Sequence, residues 1–459
     1  MQKTTISVRL MIGVLMLVMV LSACGQGAVA TTSPTAVPTP TPENTQGVVE
    51  LPTASPTPEP TPSPTPEPPA PVQVSIAAIG DMMCHENTFT AAWDNSTKSF
   101  NFYKYYEFIE PYLKSADFTI GNLETNLGEG DSKGDFRGYP SFKSPDSYAQ
   151  AAFDAGINVM TTANNHILDS KWDGLKRTLD KLDELGVPHT GTARTREESE
   201  KILMLEKQGM KIALLAYVYQ YQVSSGSRVP SDMREYAVNF IEPDKVIADV
   251  KRAREEGADV ILVSLHIGSN EKSSTEYIIK PTARYKELVQ QFMSAGADAI
   301  IGHHPHVPQS FEMVTVTRED GKEYTGPVYY SLGNFLCNPS NEARTANGVM
   351  GFMSFEKDMV TGETRFLDAL CMPTYILRKS PLDYRILPIS YVLDNPEVYQ
   401  AIGVNIESKL KSVLKDTTEI LGDGAQRLTV EIPAFAQGRD GLGVLGEDLL
   451  DEQDLDDDD

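Results

Sequence analysis

The chain has 459 residues, 41% of them hydrophobic, and its 40 Lys and Arg against 64 Asp and Glu give a formal charge of -24. This composition excludes a wholly disordered chain and argues against a basic nucleic-acid binder. Four cysteines are too few for a scaffold built on disulfides.

The chain opens with Lys3 and Arg9, the apolar run Leu10 to Leu21, and then Leu21-Ser22-Ala23-Cys24. A charged start, an apolar stretch and a small-residue exit predict a secretory signal, and the run is short of the ~20 residues that a membrane span needs. The cysteine directly after the small residues resembles the lipobox of bacterial lipoproteins. That likeness implies a signal peptide over residues 1–23 and lipidation of Cys24, which places the folded part outside the membrane at the cell surface. Next, 14 of the 30 prolines lie between Pro34 and Pro71, in Thr-Pro, Ser-Pro and Glu-Pro units. Residues 24–71 therefore predict an extended tether, able to reach about 120 Å at ~3.1 Å per residue.

Downstream, a strand over Val74 to Ile79 ends at Gly80-Asp81, and apolar spacing predicts a helix over Tyr103 to Lys114. A strand from Asp117 to Ile120 leads into Gly121-Asn122-Leu123-Glu124. The helix Ser147 to Ala155 feeds a strand, Asn158 to Thr161, that ends at Ala163-Asn164-Asn165-His166. A helix over Trp172 to Leu185, a strand over Lys211 to Val218 and a helix over Asp244 to Glu256 follow. The strand Asp259 to Leu265 delivers His266, and the helix Ala283 to Ala295 precedes a strand, Asp298 to Ile301, that delivers Gly302-His303-His304-Pro305-His306. Helix and strand alternate as in α/β units. Later strands are expected at Val328 to Leu332, Val349 to Phe355 and Phe366 to Leu370, in a mixed or second sheet. A late helix is expected from Ile406 to Leu414 and a short strand from Arg427 to Ile432. The tail Glu447 to Asp459 carries nine acidic residues in 13 and should stay solvated by self-repulsion.

Six of the seven histidines, His85, His166, His266, His303, His304 and His306, follow apolar strands; His189 is the exception. They stand with Asp81, Glu124, Asn164 and Asn165 at strand exits, where loops can converge. Mixed oxygen and imidazole donors suit Mn, Zn or Fe, and the absence of a cysteine cluster argues against a structural zinc knuckle. A carboxylate such as Asp81 or Glu124 is useful when two cations must be held side by side. Taken alone, Asp81 reads equally well as a helix cap and Glu124 as an ion-pair partner. Cys84 and Cys337 flank these motifs and are the first pair to test for a bridge; buried unpaired thiols are the equal alternative.

The motifs Ala78-Ile79-Gly80-Asp81-Met82-Met83, Gly121-Asn122-Leu123-Glu124, Ala163-Asn164-Asn165-His166, Ser264-Leu265-His266-Ile267-Gly268, Gly302-His303-His304-Pro305-His306-Val307 and Tyr330-Ser331-Leu332-Gly333-Asn334-Phe335 occur in this order. Together they resemble the capsule synthesis protein CapA family, associated with poly-gamma-glutamate capsule biosynthesis, within the calcineurin-like metallophosphatase superfamily. The resemblance implies a four-layer α/β/β/α metallophosphatase-like sandwich over residues 72–396, with an addition over 397–446 and the acidic tail over 447–459. It implies one or two divalent metal ions held by Asp81, Glu124, Asn165, His266, His304 and His306, and a catalytic His166 near the leaving group. Further candidate donors are His85, Asn164 and His303. Met83 stands where the first motif usually carries a metal-binding histidine, and His85, two residues on, can compensate.

The implied function is that of a cell-surface, metal-dependent hydrolase or transferase acting on an anionic envelope polymer or phosphorylated substrate, alongside a capsule synthesis or export membrane complex. The alternative is a polymer-binding or assembly component without turnover. A bulk polyanion should be repelled by the acidic balance unless bound metal, or basic groups such as Arg194 and Arg196 or Lys251, Arg252 and Arg254, offset it.

Overall fold

A computed structural model describes residues 68–219, 229–340, 344–381 and 383–436. The readings for the signal peptide, Cys24, the tether before residue 68 and the acidic tail lie outside the described residues. Fourteen strands matter for the site: β1 (Val72–Met82), β2 (Phe118–Leu123), β3 (Val159–Thr161), β4 (His189–Thr190), β5 (Leu203–Lys207), β6 (Met210–Val218), β7 (Val260–His266), β8 (Ala299–His303), β9 (Phe311–Thr317), β10 (Glu323–Tyr329), β11 (Asn334–Leu336), β12 (Asn347–Lys357), β13 (Thr364–Ser380) and β14 (Asp383–Pro388). The first sheet runs β14-β13-β12-β1-β2-β3-β4, with β11 beside β1, and the second runs β9-β10-β8-β7-β6-β5. In each sheet the strands that carry the motifs are parallel neighbours, and antiparallel strands extend one or both edges.

Side-chain alternation makes four layers. Val74, Ile76 and Ala78 of β1 meet Ile212 and Leu214 of β6 and Val260 and Leu262 of β7 in one buried cluster, so the two sheets face each other. The intervening Ala77 and Ile79 turn to the other side, against Tyr112, Leu113, Tyr148 and Ala152 of the helices α1 (Glu110–Ser115) and α2 (Asp146–Asp154). Ala213, Leu215 and Tyr217 likewise turn outward toward Val246, Val250, Leu288 and Phe292 of α3 (Pro243–Glu255) and α4 (Ala283–Ala295). The result is the α/β/β/α sandwich.

Two expected elements differ. The helix over Tyr103 to Lys114 is a 3-10 turn, Tyr103–Tyr105, followed by the separate α1, because Pro111 sits in the first turn of α1 and cannot continue a helix from upstream. The strand over Arg427 to Ile432 is replaced by a 3-10 turn, Gly422–Arg427, and a single bridge between Cys371 and Leu428. Arg427 is spent on Asp368 and on Ala369 O, which docks the segment without a ladder. β13 is far longer than the expected Phe366 to Leu370, and β10 ends at Tyr329. The late helix α5 (Glu407–Leu421) packs Leu410 and Val413 against Leu377, Leu387 and Val392. Among the described residues no helix is long and apolar enough to cross a membrane. Cys84, Cys337 and Cys371 are buried free thiols.

Candidate metal centre

The motif residues meet at the C-terminal ends of β1, β2, β3, β7 and β8. Asp81 lies at the end of β1, where pairing with β2 shifts register between Ala78 and Asp81. Gly80 permits this course, since a Cβ there would stand 2.0 Å from Gly333 O. Asp81 N donates to that same carbonyl at 2.9 Å. On the other sheet His266 and His303 are register partners at the ends of β7 and β8. The chain then turns through His304 and His306, with φ values of 95° and 58°. Two non-glycine residues in the left-handed region within one short loop are a local strain of the kind that functional sites retain.

Two groups of donors emerge, Glu124 with His266 and His304, and Asp81 with Glu124 and His306; within each, the ligand atoms lie within 4.8 Å of one another. All five residues are buried, and Glu124 belongs to both groups. His266 Nε2 is 3.4 Å from Glu124 Oε1, 3.1 Å from His304 Nδ1 and 2.8 Å from Asn165 Oδ1. Asn165 thereby adds a neutral oxygen to the first group. In the second, Asp81 Oδ2 is 3.1 Å from His306 Nδ1, while His306 Nε2 is 3.8 Å from Glu124 Oε1.

The remaining candidates take distinct places. His303 Nδ1 is 3.2 Å from Asp81 Oδ1. Asn164 donates to Leu123 O at 2.8 Å and to Asn122 Oδ1 at 3.2 Å. His85 is outside both groups: its Nδ1 accepts from Asn338 N at 3.3 Å, and its ring packs edge-on against Phe142 at 5.0 Å. Met83 is buried and its N–H donates to Leu336 O at 2.8 Å. His166 sits beside the groups, with Nδ1 2.6 Å from Asp169 Oδ2 and its ring 4.7 Å from that of Phe142.

Two supporting residues were not singled out from the sequence. Asn122 Nδ2 donates to Asp81 Oδ1 at 2.8 Å and lies 3.2 Å from His266 Nδ1, so it ties the two sheets' donors together. Asn334 Oδ1 lies 3.1 Å from His306 Nδ1. Both belong to quoted motifs, and only their placement marks them as supports.

The electrostatics fit cations. Both Glu124 oxygens and His304 Nε2 are buried without a hydrogen bond. An ionised group left so is costly by several kcal/mol, and a divalent ion between these donors removes that cost. Burial, reinforced by the neighbouring Asp81 charge, pushes the Glu124 carboxyl up to about 8. Burial also works against the Asp81 anion, but the imidazoles of His303 and His306, within 3.2 Å of its oxygens, hold it well below the usual range. Burial opposes charge on His306, yet Glu124 and Asp81 raise it to about 9. His266 and His304 are held low, chiefly by burial, which keeps them neutral and competent as ligands. These residues are positioned to coordinate divalent metal, with Glu124 shared by two positions.

The family model for the bacterial capsule synthesis protein PGA_cap matches residues 75–339. The chain belongs to that family. Among similar proteins, the capsule biosynthesis protein CapA of Bacillus anthracis is 26% identical over 299 residues, 64% of this chain and 65% of that protein. The PGA biosynthesis protein CapA of Bacillus subtilis (strain 168) is 26% identical over 239 residues, 50% of this chain and 56% of that protein. The chain thus spans less than two thirds of the length of either relative. Among solved structures, a phosphatase from Mycoplasma pneumoniae has a TM-score of 0.39 at 15% identity, covering 66% of this chain and 94% of its own. The calcineurin-like phosphoesterase YfkN from Bacillus subtilis has a TM-score of 0.35 at 15% identity, covering 66% of this chain and 91% of its own.

Proposed function

We propose that this PGA_cap protein is a metal-dependent hydrolase or transferase that processes an anionic envelope polymer, with poly-gamma-glutamate as the first candidate. The observation that carries the reading is the shared Glu124, whose two buried, unbonded oxygens stand between two groups of ligands. A carboxylate so placed suits a pair of cations working on one substrate. When bound, such a pair polarises the substrate oxygen and lowers the pKa of the attacking water.

The chain's own residues supply the rest. Asp169 takes Nδ1 of His166, so Nε2 is the nitrogen that can hold a proton for the departing atom. Hydrolysis adds the water's hydroxyl to the acyl or phosphoryl centre, the bond to the leaving nitrogen or oxygen breaks, that atom receives the proton from His166, and the proton released by the water goes to solvent, from which His166 is reprotonated. Phe142 packs on the imidazole and helps keep it in place. Asn122 holds Asp81 and His266 in register, so donors from the two sheets keep their spacing. The polymer assignment rests on the names of the relatives, and export with lipidation at Cys24 would bring the domain to that polymer.

The test is to measure bound metal and turnover of phosphomonoesters, phosphodiesters and γ-glutamyl oligomers for the wild-type chain and for His304→Ala. Joint loss of metal and of one activity is expected. Full metal loading with no turnover of any class by the wild-type protein would overturn the enzymatic reading in favour of polymer binding.

A further inference from the structure

Most arginines among the described residues are spent on carboxylates, although exposed Arg378 donates to Asn338 Oδ1 at 2.8 Å. Arg194 is held by Asp180, Asp183 and Glu198, Arg196 by Glu235, and Arg252 by Asp249 and Glu256. Arg254 and Arg318 share Asp298, and Lys251 pairs with Glu319. The basic clusters visible in the sequence are therefore neutralised locally and offer little to a polyanion.

Arg137 differs. Among the described residues its exposed guanidinium has no carboxylate partner; it donates to Ser170 Oγ at 3.2 Å and to Ser141 O at 3.3 Å. Its place in the fold gives this meaning. Arg137 and Lys143 exchange backbone hydrogen bonds of 2.9 Å, closing a small hairpin. That hairpin leans on the segment that holds His166. Phe142 N donates to Asp169 Oδ2 at 2.8 Å and Ser141 Oγ to Asp169 O at 3.1 Å. At its tip the ring of Tyr139, 70% exposed, lies 6.2 Å from the imidazole of His166. A cation bonded only to neutral oxygens and an exposed aromatic ring are thus carried on the hairpin that packs on the His166 segment. Glu276 precedes Tyr277, whose ring lies 6.5 Å from that of His306. Negative charge from Glu276 bears on His306, and Arg137 is carried by the hairpin that packs on the His166 segment.

The inference rests on the function proposed above, in which His166 serves the leaving group. In a γ-glutamyl amide the leaving nitrogen is bonded to a carbon that itself bears a carboxylate, so an anion accompanies every leaving group. We propose that Arg137 is a positioning residue that binds the carboxylate on the leaving-group side of the scissile bond, with Tyr139 covering the adjoining substrate chain. Charge-assisted hydrogen bonds from a planar guanidinium suit that group.

The test uses the metal-loaded full chain with Arg137→Ala, Arg137→Gln and Arg137→Lys. Substrates are a γ-glutamyl oligomer, the same oligomer with its α-carboxylates amidated, and a glycerol phosphate oligomer. Losing a charge-assisted pair should raise KM for the free-carboxylate oligomer by about tenfold to a hundredfold, with partial recovery in the lysine variant. Bound metal, melting temperature and turnover of the amidated oligomer should stay unchanged. Equal loss on both γ-glutamyl substrates, no loss on either, or dependence on Arg137 confined to the glycerol phosphate oligomer would each overturn the assignment. If the wild-type chain turns over none of them, the hydrolytic reading fails and equilibrium binding decides this one. An Arg137→Ala chain that binds the free-carboxylate oligomer about tenfold more weakly than wild type supports it, and equal binding refutes it.

Discussion

At the scale of single residues, Glu124 determines how the cation-free protein responds to pH. Its folded pKa of about 8 exceeds the ordinary 4.5, so between those values the folded chain keeps a proton that the unfolded chain has released. Stability therefore falls as pH rises through that window. His306, raised from 6.5 to about 9, acts in the same direction. The depressed His266 and His304 act oppositely, but only below their unfolded value of 6.5. From pH 6.5 to 9 the chelated protein should thus lose roughly a few kcal/mol, read as a falling melting temperature, while the metal-loaded protein holds steady. Glu124→Gln should flatten the slope in chelator and abolish metal loading. A chelated protein that grows more stable across this range would contradict the buried, cation-seeking carboxyl.

At the scale of elements, the site depends on backbone approaches that only glycine allows. A Cβ on Gly302 would fall 1.9 Å from Tyr330 O, at the strand end that delivers His303 and His304. Gly302→Ala should cost about 1–3 kcal/mol through overpacking, and the shifted strand end should lower bound metal. Denaturant melts with metal analysis would show this; unchanged values in both would mean that the strand end adjusts freely. The two ligand groups also differ in composition. Glu124, His266 and His304 have Asn165 Oδ1 beside them, 2.8 Å from His266 Nε2, and Asp81, Glu124 and His306 have Asn334 Oδ1, 3.1 Å from His306 Nδ1.

For the whole molecule, net charge opposes the proposed substrate. The formal charge of -24 includes the nine acids of the Glu447 to Asp459 tail, and at low ionic strength such a field slows the approach of a polyanion. A chain truncated before Glu447 should keep its fold and metal content and associate with γ-glutamyl polymer faster at low salt, as stopped-flow measurements would show. Loss of folding or metal on truncation would mean that the tail is structural. The structure also explains why the basic clusters do not relieve this repulsion: Arg194, Arg196, Lys251, Arg252 and Arg254 are each paired with carboxylates.

The sequence by itself determined the α/β alternation and named the five residues that meet in the two candidate groups. Apolar periodicity reports which residues face a core, and Asp81, Glu124, His266, His304 and His306 all stand where an apolar run stops. It was less informative at Tyr103 to Lys114, where Pro111 interrupts an apparent helix, and at Arg427 to Ile432, where a tertiary ion pair takes the place of a ladder. What only the tertiary structure decided is convergence. Donors far apart in the chain become neighbours because two sheets pack face to face with their motif-bearing strand ends together. That packing makes Glu124 common to both groups, recruits Asn122 as a tie between sheets, leaves His85 outside them, and sets Arg137 on Ser170, next to the Asp169 that holds His166, with no carboxylate partner among the described residues. Such contacts depend on the sum of long-range burial, which no local pattern encodes.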